Sequence, residues 1–294
     1  MLVLLDEDKI RSALSYEKLI PTMSRALAAF STGRVTQPVR TILSIPDHSA
    51  FYGVMPVADE TMLGAKLVTV YPHGEPTHKA VIQLFDAATG TPLALLDGRL
   101  ITEMRTAAVS AVATQLLASP NAHTLAILGS GVQARAHVAA LRLVRTFDQI
   151  RVWSRNAEHA KRFADEVGAK VTSAEEAVRG ADVVCTVTHS PEPVLKGEWL
   201  DHDAHVNAVG AVGRAAREVD GVAMARSTVV VDSRAAALQE AGDVLLAGAT
   251  IYAELGELIA GSQQVPPEGR TVFKSLGLAV EDLAAARLVY EALA

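Results

Sequence analysis

The sequence of 294 residues contains one cysteine and no long apolar run. A single cysteine excludes a disulfide framework within the chain, and its place in the run VVCTV predicts that Cys185 is a buried, unreactive thiol. No stretch approaches the roughly 18 apolar residues of a membrane helix. The apolar start MLVLL is too short for a signal-peptide core and has no basic residue before it. These absences predict a cytoplasmic protein without a membrane partner.

Neither basic nor acidic residues are concentrated in one part of the sequence. The chain has 27 basic and 33 acidic residues, a formal net charge of −6, in no long runs, so nucleic acid is not an expected partner. The nine histidines are dispersed. No cysteine or acidic cluster joins the closest pair, His202 and His205, and no metal is therefore expected. The nucleophile turn GxSxG and the phosphate loop GxxxxGK[ST] are also missing.

The first part of the chain predicts a sheet-and-helix domain. Apolar spacing over 15–32 indicates a helix that stops at Gly33. About five short apolar segments then predict a mixed or antiparallel sheet, with DAATGT as a hairpin loop. They are QPVRTILSI, AFYGVMP, MLGAKLVTVY, AVIQLF and PLALLD. A long helix over 99–118 should end before Ser119-Pro120.

After this helix, short β-rich segments alternate with helical ones, from HTLAIL to STVVVD. This rhythm predicts a doubly wound parallel sheet. The tail LAVEDLAAARLVYEAL has helical spacing and is expected to pack back on the first region. The predicted fold class is α/β, with a Rossmann-type domain over 119–276. An α+β domain over 1–118, completed by 277–294, accompanies it.

The segment GSGVQA, residues 129–134, lies between a predicted strand and a predicted helix. Gly129 permits the tight turn, Gly131 lets the backbone approach a pyrophosphate, and Ala134 takes the small position where the helix meets the sheet. The helix amino terminus, with Val132 and Gln133, supplies N–H groups and a positive dipole end. A dinucleotide is therefore the expected ligand. A glycine-rich connection without a ligand is the alternative.

The strand that follows, IRVW, should end in Asp or Glu if the ligand were NAD. It ends in Ser154, Arg155 and Asn156 instead. These residues remove the negative charge and add a cation, and arginine suits phosphate through its planar fork. The missing acid favours NADPH, although NADH remains open. In the alternative reading, Arg155 is a solvated surface charge.

Four charged residues stand in apolar surroundings. Asp232 closes the strand STVVVD, where it could act as acid or base or could cap the helix that starts near Ser233. Lys66 is either an edge-strand charge or a ligand-facing one. Arg105 points along an apolar helix face and needs an anionic partner, which an internal ion pair or a substrate carboxylate could supply. Arg40 could be an exposed strand residue, or it could converge with the other cations on a small anion.

The chain resembles the ornithine cyclodeaminase and mu-crystallin family over nearly its whole length. The matching stretches, in order, are QPVRT, GVMP, AKLVTVYP, LLDGRLITEMRTAAVSAVA, GSGVQARAH, VWSRN, ADVVCTVT, EPVLKGEWL, HVNAVGA, VVVDSRAAALQEAGDVL, AELGELIAG and TVFKSLGLAVEDLAAA. The resemblance implies a substrate and dimerisation domain joined to a Rossmann domain, and a homodimer or a larger assembly of dimers.

The resemblance also implies roles for individual residues. Arg40, Lys66 and Arg105 match the cations that bind the substrate carboxylate, and Met55 joins them as a substrate-binding residue. Lys66 would also lie close to the reacting nitrogen, and Asp232 matches the carboxylate that handles the proton of that nitrogen. The residues implied to bind or border the cofactor are Gly129, Gly131, Val132, Gln133, Ala134, Ser154, Arg155, Asn156, Thr188, Val209, Gly210, Asp232, Lys274 and Ser275.

Two departures indicate a branch of the family. Ornithine cyclodeaminases and the archaeal alanine dehydrogenases similar to them carry a Pro-Gly-Lys type segment after the NAVGA strand and an acid after the second Rossmann strand. This chain has AVGRAAREVD and Ser154-Arg155 there, as the ketimine reductase branch does. That likeness implies reduction of 1-pyrroline-2-carboxylate or 1-piperideine-2-carboxylate to L-proline or L-pipecolate. An ornithine cyclodeaminase, an alanine-type dehydrogenase and a non-catalytic binding protein of mu-crystallin type are the alternatives.

Overall fold

The computed structural model describes residues 2–267 and 269–293, which divide into two compact units. Unit 1 contains the described residues up to Arg105 and from Gly277 onward, and unit 2 runs from Thr106 to Leu276. The first division therefore falls inside a helix, whereas the sequence analysis placed it at 118. The reason is that Ser119-Pro120 signals the end of a helix and not a change of core.

The strands of both units are short, and most hold four to nine residues. In chain order they are β1 (Val3–Leu5), β2 (Thr41–Ile45), β3 (Ala50–Ala58), β4 (Met62–Val70), β5 (His78–Asp86), β6 (Pro92–Asp97), β7 (Thr124–Leu128), β8 (Gln149–Trp153), β9 (Lys170–Val171), β10 (Val183–Thr186), β11 (His205–Ala208), β12 (Thr228–Val231), β13 (Ile251–Glu254) and β14 (Thr271–Lys274).

The helices vary more in length. In chain order they are α1 (Glu7–Ala13), α2 (Tyr16–Ser31), α3 (Arg99–Leu117), α4 (Val132–Leu141), α5 (Ala157–Val167), α6 (Ala174–Val178), α7 (Gly221–Ala225), α8 (Arg234–Glu240), α9 (Gly242–Leu245), α10 (Leu255–Ala260) and α11 (Ala279–Leu293). The predicted stop of α2 is confirmed, because Gly33 follows it with φ +75°.

Unit 1 contains a six-stranded sheet in the order β1-β6-β5-β4-β3-β2. Its pairs are antiparallel, except that β1 runs parallel to β6. The predicted hairpin at DAATGT is confirmed, since it joins the antiparallel strands β5 and β6. The prediction of about five strands was one too low. The extra strand, β1, has three residues and is too short to show an alternating pattern.

The two faces of this sheet differ in their cover. Met55, Lys66, Ile82 and Leu96 are successive cross-strand partners, so their side chains share one face, and all four are buried. The helix α11 packs on this sheet and on α2, as predicted for the tail. Neighbouring residues in a strand point to opposite faces, and on the other face Leu95 is exposed. The face that carries Lys66 is therefore covered in the middle of the sheet, although Ile42 and Phe51 are exposed at its β2 end, and the other face is open at Leu95.

Unit 2 contains an eight-stranded sheet in the order β13-β12-β14-β11-β10-β7-β8-β9, with parallel pairing throughout. Every residue of β7, β10, β11 and β14 is buried, as expected of a parallel sheet covered on both faces. The predicted doubly wound fold is confirmed. The chain winds from β7 to β8 in one direction and to β10 in the other, so the switch point lies between β7 and β10.

Two predictions from absent features can be compared with the structure. No helix among the described residues combines the length and apolar character needed to cross a membrane. Cys185 lies in β10 and is fully buried, and burial raises the pKa of its thiol to about 12. The prediction of a buried thiol is confirmed, and its high pKa makes the reactive thiolate rare at neutral pH.

Candidate functional site

The glycine turn of unit 2 lies at the switch point, at the carboxyl end of β7. Gly129 has φ +129°, and a Cβ there would approach the carbonyl oxygen of Val187 to 2.7 Å. Only glycine fits this close approach of the loops that follow β7 and β10. Gly131 is the N-cap of α4, no side chain caps that helix, and a Cβ at Gly131 would meet open space.

The amino end of α4 suits a phosphate ligand. Its first N–H groups and its dipole present positive charge, and no side chain neutralises it. Val132 is exposed and Ala134 is fully buried. The side-chain oxygen of Gln133 is buried without a hydrogen-bond partner among the described residues. An uncapped helix and an open glycine together fit the pyrophosphate of a dinucleotide.

A buried histidine fixes α4 from behind, and the sequence analysis missed it. His137 Nδ1 lies 2.7 Å from the carbonyl oxygen of Gln133, and Nε2 lies 3.0 Å from Ser110 Oγ of α3. Burial lowers the pKa of His137 to about 4, so the ring is neutral at pH 7. A carbonyl only accepts, and Nδ1 therefore donates while Nε2 accepts from the serine hydroxyl.

The residues after β8 form the edge where an adenosine ribose would lie in this fold. Ser154 Oγ accepts a hydrogen bond of 2.9 Å from Ser130 Oγ in the glycine turn. Asn156 caps α5 by accepting from His159 N, so its side-chain oxygen has a structural task. Arg155 is exposed, and no acid stands at 154–156. Ser154, Arg155 and Asn156 thus lie directly after β8, and the side chain of Arg155 is exposed to solvent.

The carboxyl ends of β10 and β11 are joined by Glu218, which the sequence analysis did not single out. One carboxylate oxygen of Glu218 accepts from Thr188 N at 2.5 Å and Thr188 Oγ1 at 2.7 Å. The other accepts from Thr186 Oγ1 at 2.9 Å, Gly210 N at 2.6 Å and Ala211 N at 3.1 Å. Two of the predicted cofactor-bordering residues, Thr188 and Gly210, are therefore held by one buried acid.

Lys274 and Ser275 follow in the same layer, at the end of β14. The ammonium of Lys274 is fully buried, lies 2.9 Å from Asp243 Oδ2 and donates to the carbonyl oxygen of Ala211 at 2.6 Å. The charge of Lys274 is therefore used inside unit 2. The hydroxyl of Ser275 is buried without a hydrogen-bond partner among the described residues, so it remains available to a ligand group. Val209, also predicted here, is buried directly after β11.

Asp232 directly follows β12 and is fully buried. Its two oxygens accept from Ser233 N at 2.8 Å and from Leu276 N at 2.5 Å. The cap of α8 is Ser233, whose side chain accepts from Ala236 N. The alternative that Asp232 is the helix cap is therefore wrong, because the neighbouring serine performs that task.

In unit 1, Lys66 lies in β4, which pairs with strands on both sides, so the edge-strand alternative is wrong. Its side chain is only 3% exposed. The ammonium lies 2.7 Å from Asp282 Oδ2 and 3.5 Å from Thr102 Oγ1. Met55 stands directly opposite Lys66 on β3 and is equally buried. Lys66 and Met55 are therefore adjacent. Asp282, the acid that pairs with Lys66, was not predicted.

Arg105 is also held by acids of the tail helix. Its Nε donates to Asp282 Oδ1 at 3.0 Å, and its Nη1 forms an ion pair with Glu281. Both acids lie in the first turn of α11 and are buried. The sequence left open whether the partner of Arg105 is internal, and the structure provides an internal one. Two adjacent acids within LAVEDLAAA were the available signal.

Arg40 meets the same cluster through the backbone of Gly277. It is half-buried just before β2, which contradicts the exposed-strand alternative, and its Nη2 donates to the carbonyl oxygen of Gly277 at 2.8 Å. Gly277 has φ +80°, and a Cβ there would lie 2.4 Å from Arg105 Nη1. A single glycine thus stands between the two guanidinium groups.

The electrostatics of this unit 1 cluster favour a small anion. Burial lowers the pKa of Lys66 to about 8; Asp282 raises it, and Arg105 and Arg40 lower it further. Three cations, Arg40, Lys66 and Arg105, face two acids, Glu281 and Asp282. Guanidinium and ammonium groups suit a carboxylate ligand, because they donate charge-assisted hydrogen bonds to its oxygens.

The whole chain matches one protein-family model. Residues 2–294 match the model described as the ornithine cyclodeaminase/mu-crystallin family. The chain belongs to this family. The resemblance inferred from the sequence motifs is confirmed.

Family members of known activity cover the chain almost completely. The ketimine reductase mu-crystallin of Mus musculus is 49% identical over 297 residues, which span 97% of this chain and 94% of the mouse protein. A Thermococcus litoralis Δ1-pyrroline-2-carboxylate reductase, solved in complex with NADH and L-proline, is 36% identical. It superposes with a TM-score of 0.93 and covers 99% of this chain and 97% of that one.

An archaeal alanine dehydrogenase dimer with bound NAD has the same fold. Its sequence is 30% identical, its TM-score is 0.94, and the match covers 99% of this chain and 95% of that one. The fold of this chain, with a largely antiparallel sheet in unit 1 and a parallel sheet in unit 2, is therefore the fold of these family members.

Gly277→Ala tests the packing around the guanidinium groups. A Cβ would both require the strained positive φ and displace Arg105 from its acids, leaving buried charges with poorer partners. We expect a loss of at least about 3 kcal/mol in unfolding free energy, measured by urea denaturation. Gly33→Ala is the matched control, since Gly33 has φ +75° but open space around a Cβ, and about 1 kcal/mol is expected there. Equal losses for the two variants would contradict the role given to Gly277.

Proposed function

We propose that this protein reduces a cyclic imine that carries a carboxylate, with a nicotinamide dinucleotide as reductant. The candidate substrates are 1-pyrroline-2-carboxylate and 1-piperideine-2-carboxylate, which would give L-proline and L-pipecolate. The observation that carries the proposal is the convergence of three cations, Arg40, Lys66 and Arg105, around Gly277 and the first turn of α11 in unit 1. The names of the mouse and Thermococcus relatives support the same chemistry.

The proposed roles in unit 1 concern the carboxylate of the substrate. Arg40 and Arg105 would bind this group, and Lys66 would complete its neutralisation, with Met55 filling the apolar space opposite Lys66. Holding the carboxylate fixes the orientation of the imine ring, which contributes to catalysis by reducing the entropy cost of the reaction. The ammonium of Lys66 is mostly protonated at pH 7, because its pKa is about 8. Lys66 can therefore donate a proton or stabilise the anion.

Asp232 is the proposed group that acts on the imine nitrogen. The C=N carbon accepts a hydride readily only when the nitrogen is protonated or nearly so. A carboxylate favours this iminium form through its charge. The backbone N–H groups of Ser233 and Leu276 hold Asp232 in place. The product then carries a new C–H bond and a new N–H bond.

The dinucleotide would be held at the carboxyl edge of the unit 2 sheet. The glycine turn Gly129–Gly131 and the amino end of α4 fit its pyrophosphate, and the orphaned groups of Gln133 and Ser275 offer further polar contacts. When bound, the nicotinamide supplies the hydride. The neutral His137 keeps α4 in register for this task.

We propose NADPH as the preferred form of the cofactor. The end of β8 carries no acid to repel a 2′-phosphate, and the exposed Arg155 can offer it a charge-assisted pair of hydrogen bonds. Ser154 and Ser130 add hydroxyl groups at the same edge. The Thermococcus relative was solved with NADH, so the preference rests on the residues of this chain.

We propose that the protein is a homodimer formed through the open face of the unit 1 sheet. Leu4, Leu43, Val81 and Leu95 share this face by register and are 62%, 53%, 39% and 37% exposed. The helix α11 packs on β3, β4 and β5 from the opposite face, and exposed apolar residues grouped on one face are typical of an interface. An archaeal relative is a dimer.

The test of the proposed function is NADPH oxidation with each imine, repeated with NADH. We expect turnover with at least one imine and a preference for NADPH. Absence of turnover with both imines would overturn the proposal. Activity with ornithine or alanine and NAD would then favour the other activities known in the family.

Arg155→Ser tests whether Arg155 binds the 2′-phosphate of NADPH. Loss of charge-assisted hydrogen bonds of about 1.5–3 kcal/mol should raise KM for NADPH roughly ten- to a hundredfold and leave KM for NADH unchanged. Arg162→Ser is the matched control, because Arg162 is also an exposed arginine and lies in the neighbouring helix α5. An unchanged KM for NADPH in Arg155→Ser would show that Arg155 is only a surface charge.

The pH profile of kcat/KM tests Lys66. Activity should be level below the pKa of Lys66 and should fall above about pH 8, as the ammonium loses its proton. Asp282→Asn removes the carboxylate that raises this pKa, so the alkaline fall should move to lower pH. Asp282→Glu keeps the charge and should leave the fall near its original pH. The substrate is common to all three proteins, so a shift confined to the Asn variant reports the enzyme group.

Asp232→Asn tests whether the carboxylate of Asp232 acts on the imine nitrogen of the substrate. Loss of the charge should lower kcat by at least about a hundredfold, the usual range for an acid–base group. The dissociation constant for NADPH should change by less than about threefold, since the amide still accepts one of the two backbone hydrogen bonds. Asp220→Asn is the control, because Asp220 accepts from Gly197 N and Ala223 N without a proposed catalytic role. Equal losses of turnover and of cofactor binding would mark Asp232 as structural.

The dimer is checked by sedimentation velocity. The mass obtained from the sedimentation of the wild type should be twice the 31.0 kDa of one chain. Leu95→Glu should yield the monomer, because it places a charge in the proposed apolar interface. Leu238→Glu changes a leucine that is 55% exposed in α8 of unit 2 and should leave the dimer intact. A monomeric wild type would contradict the assignment.

A further inference from the structure

Glu218 is a fully buried acid for which the proposed reaction has no direct use. It accepts all five hydrogen bonds described above, so each of its oxygens is approached by at least two donors. Three of the five donors are backbone N–H groups just beyond the ends of β10 and β11. A backbone N–H that loses its partner in a buried place costs about 1–3 kcal/mol, so this carboxylate determines where both strand ends lie.

The neighbours of Glu218 leave it little freedom. Asp243 Oδ1 accepts from the backbone N–H groups of Glu218 and Val219 at 2.8 and 2.9 Å, and Lys274 pairs with the other oxygen of Asp243. A Cβ at Gly210 would lie 2.7 Å from the carboxylate and 2.1 Å from the carbonyl oxygen of Thr188. Burial raises the pKa of Glu218, while Lys274 and the hydrogen bonds from Thr188 and Thr186 lower it. The three backbone N–H groups can only donate, so both oxygens of Glu218 must act as acceptors.

The position of this network in the fold relates it to the dinucleotide. The pyrophosphate fits the turn after β7, and the adenosine ribose belongs to the edge after β8. The strands β10 and β11 lie on the opposite side of β7. The nicotinamide half of the cofactor must therefore extend over the ends of β10 and β11, where Thr188 and Gly210 stand.

We propose that Glu218 is a positioning residue for the nicotinamide half of the cofactor, acting through the loops that follow β10 and β11. This inference rests on the proposed dinucleotide-dependent function. Glu218 itself touches neither cofactor nor substrate in this proposal. It holds Thr188 and Gly210 at the spacing that the cofactor requires.

Glu218→Gln is the informative variant because it keeps the shape of the side chain. In either orientation, the amide NH₂ faces at least two donors that the carboxylate oxygen accepted. At least one of the two loops must then shift. We expect the dissociation constant for NADPH, measured by fluorescence titration, to rise at least tenfold. KM for the imine at saturating NADPH should stay within about twofold, since unit 1 is unchanged.

Asp182→Asn is the matched control at the opposite edge of the same sheet. Asp182 directly precedes β10, and its Oδ2 accepts from His123 N at 2.9 Å and Thr124 N at 2.8 Å. It therefore joins β10 to β7 at their amino ends, away from the cofactor edge. Glu218→Gln should weaken NADPH binding, whereas Asp182→Asn should leave it unchanged, because the amide oxygen can take the place of Oδ2 and accept from both N–H groups.

Three outcomes would decide the matter. Wild-type affinity for NADPH in Glu218→Gln, or equal weakening in Asp182→Asn, would overturn the positioning role and leave the proposed function intact. A wild-type protein that binds neither NADPH nor NADH would overturn the proposed function itself. If Glu218→Gln does not fold, Thr186→Val removes one donor behind the cofactor edge. It should weaken NADPH binding at least twofold, and unchanged binding would contradict the proposal.

Discussion

The ion pairs between α11 and the two buried cations of unit 1 are the interaction on which the candidate substrate site depends. Removing a charged side chain from water costs several kcal/mol per ion unless a partner and hydrogen bonds compensate it. Asp282 compensates both Lys66 and Arg105 with a single carboxylate. The helix α11 therefore packs on the sheet and also supplies, from its first turn, the acids that pair with Lys66 and Arg105.

In unit 2, buried acids accept hydrogen bonds from backbone N–H groups at the ends of strands. The loops that leave the carboxyl edge of a parallel sheet contain N–H groups that no strand partner satisfies. Glu218 and Asp232 supply acceptors for these groups, while Asp243 in turn fixes Glu218. Glu218 and Asp232 thus bind mainly backbone donors, whereas Glu281 and Asp282 of unit 1 bind side-chain cations. The first arrangement fixes the shape of loops, and the second fixes the charge of a pocket wall.

The sequence predicted the features that depend on neighbouring residues. The turn at Gly129 follows from a strand, a tight turn and a helix within one stretch. The partners of Arg105 could not be found in this way, because Glu281 and Asp282 lie 176 and 177 residues away. The local sequence pattern placed Arg105 on an apolar helix face and so predicted that Arg105 has an anionic partner. It did not show that the chain itself supplies this partner.

The same limit applies within unit 2. The interior ion pair of Lys274 with Asp243, and the network around Glu218, join segments that the sequence treats as separate loops. Glu218 stands in a stretch without helical or strand periodicity, so no pattern marked it. The family resemblance identified Thr188 and Gly210 as important positions, and the structure supplies the physical reason why they lie where they do.

Unit 1 is discontinuous in the chain, and this has a consequence for biosynthesis. A ribosome delivers Lys66 and Arg105 early, then the whole of unit 2, and only afterwards the acids of α11. During that interval the two cations have no acidic partner from α11, and the covered face of the unit 1 sheet lacks this helix. Domains generally fold in the order in which they emerge, but here the first unit to begin is the last to be completed. A nascent chain halted before α11 would hold a finished parallel sheet beside an open one, a species that chaperones recognise by its exposed apolar surface.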